Sequence, residues 1–166
     1  MLKNINATQK GLITAIIMIG LSLLFFYTLK QSVDNFYQYF IYVLFAAGII
    51  WSVADFRKAA TPQTKFKEYF SEGFKTFVVC TLLIVVYTGI FFYFNTAIRD
   101  EKIELNNELL IKQGNHTLAE IKDNARQMKK IFIPMAMGIT VFRYLFLGSI
   151  ITVITTFLLM QKEKKN

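Results

Sequence analysis

The stretch FKTFVVCTLLIVVYTGIFFYF, Phe74–Phe94, decides the fold class. It carries one charge, Lys75, at its near end, and no proline. A helix of about 18 apolar residues or more crosses a hydrocarbon core roughly 30 Å thick. A helix also satisfies its own backbone inside lipid. Three further stretches have the same character: Leu12–Leu29, Phe36–Ala54 and Ile131–Met160. The expectation is an all-α chain, an integral membrane four-helix bundle formed as one domain over residues 1–166. Its spans are placed at about 12–29, 36–54, 74–94 and 135–160.

Composition supports that reading. The chain is 54% hydrophobic, above the roughly 45–50% of soluble domains, and its apolar residues are gathered into long blocks. The four spans leave no room for a separate soluble domain of ordinary size. The net charge of +8 is assigned to Lys and Arg flanking the spans. No aromatic-basic strand pattern of an RNA-binding sheet is present, so the lipid bilayer and not nucleic acid is the expected partner. Cys80 is the only cysteine and His116 the only histidine. These exclude an intramolecular disulfide and argue against a His-ligated metal or haem, so no cofactor is expected. The first stretch follows Lys3 and Lys10 but ends in Thr28-Leu29-Lys30-Gln31, which is no small-x-small cleavage site. It reads as an uncleaved anchor.

Short-loop charges orient the spans. The N-terminal tail carries Lys3 and Lys10, and the second loop carries Arg57, Lys58, Lys65 and Lys67. The C-terminal tail carries Lys162, Lys164 and Lys165. With four spans these segments share one side, and the positive-inside rule makes it the cytoplasm, with both termini there. The connector Lys30–Asn35 has one Lys balanced by Asp34. The loop after the third span holds seven basic residues, which oppose this orientation without outweighing three concordant segments.

That third loop has helical order. Ile98, Leu105 and Leu109 continue a stripe from the third span. Gly114 offers a left-handed stop. Thr117-Leu118-Ala119-Glu120 matches a capping box. Beyond it Leu118, Ile121, Ala125, Met128, Phe132, Met135, Ile139, Phe142 and Phe146 step by threes and fours. Spans three and four are thus expected to extend into an extracytoplasmic helical hairpin over residues 99–130, turning at Gln113–Asn115. Thr61-Pro62 reads as an N-cap with proline at the first helical position. Phe66, Tyr69, Phe70 and Phe74 share a face after it, either as an interfacial amphipathic helix or as the near end of span three.

Arg143 is the sharpest single residue. A charged side chain at the bilayer centre costs about 2.5–3.5 kcal/mol on the lenient scale. Three routes offset that: snorkelling to headgroups, pairing inside the bundle, or lining a polar path. Asp34 is the nearest acid by expected depth, and Tyr27, Tyr37 and Tyr144 are candidate hydrogen-bond partners. Small residues mark expected helix contacts: Gly11, Ala15 and Ser22 in span one, Ala47 and Ala54 in span two, and Thr140, Gly148, Thr152 and Thr156 in span four. No Gly-rich phosphate loop, metal spacing or Ser/His/Asp set is present, so no catalytic residues are assigned.

The run Lys65-Phe66-Lys67-Glu68-Tyr69-Phe70-Ser71-Glu72-Gly73-Phe74-Lys75, the four spans and the Gly148–Lys165 ending resemble a family of uncharacterised small bacterial membrane proteins with a domain of unknown function. The resemblance implies a multi-pass protein of the bacterial inner membrane and supplies no activity. The expected role is a non-enzymatic structural, accessory or interaction component of the cell envelope. It would contact itself or another membrane protein. The alternative is a small transporter or channel with Arg143 lining its path.

Overall fold

The computed structural model describes residues 5–29, 37–61 and 63–163. Asp34, Pro62 and the Lys30–Asn35 connector lie outside them. Among the described residues all regular structure is helical: α1 (Ala7–Leu29), α2 (Tyr37–Arg57), α3 (Phe66–Phe94), α4 (Thr96–Gln113) and α5 (Leu118–Glu163). α1, α2, α3 and α5 are each long and apolar enough to cross a membrane. α5 has 46 residues, about 69 Å of rise, more than twice a hydrocarbon core.

Local chemistry sets the helix starts. At α1, Asn6 and Gln9 exchange side-chain bonds with each other's backbone N–H at 2.8 and 3.0 Å. At α5 the Thr117 hydroxyl accepts from the Glu120 N–H at 3.3 Å, and the Glu120 carboxylate accepts from the Thr117 N–H at 2.8 Å. This is the reciprocal capping box, which satisfies two amide donors that a helix start leaves open. At α3 the cap is not at Thr61. Thr61 and Thr64 close a separate turn (Thr61 N–H to Thr64 Oγ1, 2.8 Å), and the helix begins at Phe66 with the Lys65 N–H on Glu68 at 2.9 Å. Glu68 is the residue that catches a free amide, so it moves the start past Thr61. α3 is then one helix to Phe94, with Phe66, Phe70 and Phe74 in an i, i+4 ladder. The aromatic run is therefore the near end of α3 and not a separate element.

One expectation about the third loop is corrected. α3 does not run on: Asn95 (φ −105°, ψ 64°) separates it from α4. The Asn95 side chain donates to the Phe91 carbonyl at 2.8 Å, the local competition that makes Asn a helix interrupter. The stripe carrying Leu105 and Leu109 is not the packed face of α4. Both are exposed, and the buried residue is Ile103. α4 ends at Gly114, whose φ of 70° is left-handed and whose N–H bonds the Ile111 carbonyl at 3.1 Å.

The chain divides into two compact units, residues 1–84 with 141–166, and residues 85–140. In the first, Ala15, Met18, Phe45, Ile49, Val53, Phe77, Cys80 and Tyr144 belong to one buried cluster. Buried beside such residues are hydroxyls: Thr14, Ser52, Thr76, Thr81, Thr152 and Thr156. Large apolar side chains such as Ile16, Leu24, Leu82, Val153 and Phe157 face outward. Hydroxyls inside and bare leucines outside invert the pattern of a water-soluble bundle and suit lipid, where small polar residues bring helices together. A Cβ at Gly11 would stand 2.5 Å from the Thr76 carbonyl oxygen, so α1 and α3 meet there backbone to backbone. On α2 the buried small positions are Gly48 and Ser52, whereas Ala47 is exposed. Ala47 sits about 100° around the helix from Gly48, enough to turn it outward.

In the second unit Phe92 and Phe132 meet edge to face at 5.0 Å. Ile103 and Ile121 are buried. Asp100 accepts from Arg99 at 2.8 Å and Lys129 at 3.1 Å, tying α4 to α5. The α5 stripe is buried at Ile121 and Phe132 but exposed at Leu118, Ile139, Phe142 and Phe146.

Candidate functional site

Arg143 and Tyr144 are neighbours on α5, so their side chains diverge by about 100°. Tyr144 turns inward and is buried; Arg143 stays exposed. The Arg143 guanidinium donates from Nη1 to the Tyr42 hydroxyl on α2 at 2.9 Å. Tyr42 leans on the Tyr144 ring at 5.8 Å, and Tyr144 packs edge-on against Phe45 at 5.0 Å. Tyr42 and Phe45 are one turn apart on α2, so a single helix face supplies both the acceptor and the seat beneath it.

The depth of the site follows from helix rise. Arg143 lies 18 residues before Gln161, the end of the α5 segment able to span, or about 27 Å. Tyr42 lies 15 residues before Arg57, or about 22 Å. The two distances are similar, so the ends of α2 and α5 place Tyr42 and Arg143 at matching levels along their helices.

Of the partners expected for Arg143, Tyr144 is beneath it through Tyr42. Tyr27 is 66% exposed and pairs edge-on with Phe26 at 4.9 Å; its hydroxyl is not the acceptor. Tyr37 opens α2, with its side chain outside the described part, and Asp34 is outside the described residues altogether. Tyr42 was missed as the partner. Its signal was depth: counting back from the basic ends of α2 and α5 brings Tyr42 and Arg143 to similar levels. Among the described residues no Asp or Glu pairs with Arg143, and Tyr42 is the group hydrogen-bonded to it.

A second polar centre was also missed. Lys10, read from the sequence as a flanking charge, is buried, and its ammonium lies 2.6 Å from Asp55. Lys58 shares that carboxylate at 3.0 Å. Trp51 offers its ring face 5.5 Å from the Lys10 nitrogen, a cation–π contact. Nearby, the Thr76 hydroxyl stands 2.7 Å from Ser52 Oγ and 3.1 Å from the Ala7 carbonyl. These groups staple α1, α2 and α3 at one end. The signal was weak because Lys10 and Asp55 are 45 residues apart.

Three of the other buried hydroxyls are spent locally, whereas the buried Thr156 hydroxyl has no hydrogen-bond partner among the described residues. Thr14 donates to the Lys10 carbonyl, Thr81 to Phe77 and Thr152 to Gly148, each four residues back. The Cys80 thiol donates to the Met18 sulfur at 3.6 Å in the core. Among the described residues no three His, Cys, Asp or Glu side chains gather as a metal site.

A family model described as a protein of unknown function (DUF4199) matches residues 9–161, so the chain belongs to that family. No curated protein and no solved structure matches it.

Proposed function

We propose, for this member of the DUF4199 family, a role as a non-enzymatic, multi-pass accessory protein of the cell membrane that works through protein contacts. Both termini lie in the cytoplasm in this reading, and α4 with the start of α5 forms a hairpin on the opposite side of the inner membrane. The observation that supports it is the apolar surface of that hairpin. Leu105 is 49% exposed, Leu109 58% and Leu118 80%. Leu105 and Leu109 are one turn apart on α4, a helix too polar to sit in lipid, each directly after a glutamate, Glu104 and Glu108. Apolar area left in water forgoes about 25 cal/mol per Å², and clustered apolar exposure marks contact surfaces. A second membrane protein is the partner this surface suits.

The transport alternative needs polar groups facing one another through the bundle. Thr14, Thr81 and Thr152 inside the bundle donate to their own helices, which favours packing over a path.

The experiment is capture in mild detergent with wild type and the double variant L105E/L109E. A defined partner held by wild type and lost from the variant supports the reading. Equal capture by both overturns it, and capture only of a differently tagged second copy replaces the partner with self-association. Arg143-dependent solute flux in reconstituted vesicles would overturn the accessory role in favour of transport.

A further inference from the structure

A guanidinium has five N–H donors and a charge that does not titrate away. At Arg143 one donor is used on the Tyr42 hydroxyl at 2.9 Å. That acceptor is neutral, so it orients the guanidinium without balancing its charge. The orientation is firm, because Tyr42 rests on Tyr144, and Tyr144 is buried against Phe45. The remaining donors point from an exposed side chain on an otherwise apolar surface. On α5, Phe142 and Phe146 flank it, with rings nearly parallel at 7° and 6.1 Å apart. Val43 and Phe40 are exposed on α2, beside Tyr42 in sequence.

A fixed cation on a membrane-capable helix, bordered by apolar side chains, has the form of a headgroup clamp above an acyl-chain bed. Charge-assisted bonds from Arg to phosphate oxygens are short, often paired and about twice as strong as neutral ones. We infer that Arg143, aimed by Tyr42, binds the phosphodiester of an anionic phospholipid, with the lipid's acyl chains lying along Phe142 and Phe146. This site is independent of the hairpin. Arg143 is the binding residue and Tyr42 a positioning residue. A free phosphate shares the headgroup chemistry but not the acyl contacts, and so binds weakly.

The test is native mass spectrometry of the full chain in detergent with added phosphatidylglycerol. Diacylglycerol, which has the same chains without phosphate, and inorganic phosphate are parallel arms. Wild type should retain phosphatidylglycerol over diacylglycerol by about tenfold, the ratio one charge-assisted contact brings. R143Q should lose that preference, and Y42F should weaken it while leaving the charge in place. Thermal unfolding without added lipid shows whether each variant folds. Should R143Q fail to fold, Y42F carries the test, and an unchanged preference in Y42F overturns the proposal. It is also overturned if folded R143Q retains lipid as wild type does, or if inorganic phosphate displaces the lipid at equal concentration.

Discussion

In the unit formed by residues 1–84 and 141–166, Gly11 lies on the Thr76 carbonyl, and buried hydroxyls sit among large buried side chains such as Phe45, Phe77 and Tyr69. In the unit of residues 85–140, Phe92 meets Phe132, two isoleucines are buried, and Asp100 bridges Arg99 and Lys129. The first unit adds to its large buried side chains a contact made by removing one, so that backbones approach at Gly11. The second gains it by inserting large side chains and pairing charges at its surface. Lipid offers no hydrophobic drive between helices, so close approach must supply attraction. The contrast makes a small residue, Gly11, critical in the first unit beside its large ones, whereas the second rests on large side chains and surface charges.

The largest expected effect tests the second unit. Phe132→Ala removes a buried ring from its edge-to-face partner and should cost about 3 kcal/mol. Faster amide exchange at Ile103 and Ile121 is the readout. Protection unchanged there would mean the ring contact does not hold that unit. Next is Gly11→Ala, the smallest possible enlargement, which sets a methyl 2.5 Å from the Thr76 oxygen. Backbone cannot swing aside as a flexible side chain does, so a loss of about 2 kcal/mol is expected. Denaturation in mixed micelles measures it. A neutral result would show that small-residue contact is not what closes the first unit. Thr117→Ala removes one arm of the α5 capping box and should cost about 1 kcal/mol. Its effect should appear as fraying near Leu118, with Gly11-dependent stability unchanged.

The contrast also explains what the sequence could disclose. Length and apolarity place four membrane-capable helices because they need no knowledge of partners. The Thr117 cap and the Gly114 stop are local, and so were readable. Arg143 stood out because its surroundings are apolar. Facing is different: α4 has both an Ile103 side and a Leu105–Leu109 side, and periodicity detects a stripe without saying what covers it. The same limit put Ala47 where Gly48 and Ser52 do the packing. Lys10 with Asp55, and Arg143 with Tyr42, are pairs between distant helices. Only matched depth could have joined them, and the connector holding Asp34 drew the expectation elsewhere.

The smallest effect concerns the surface charges of the second unit. Asp100 lies outside the membrane-capable segments, and the Lys129 and Arg99 side chains hydrogen-bonded to it hold its carboxyl below its ordinary 3.8. A carboxylate depressed by folding binds its proton more readily in the unfolded chain. Its contribution is therefore complete above the unfolded value and is lost as pH falls through the folded value. The window is strongly acidic, and near neutrality the contribution is flat. Because the group is exposed, salt screens it within about 8 Å at physiological ionic strength. Wild type and Asp100→Asn should then differ slightly at pH 7, less in high salt, and should converge once acid takes the pH below the lowered folded value. A gap that persists unchanged into acid would mean that the substitution acts through packing. The second unit would then be held by shape rather than by charge.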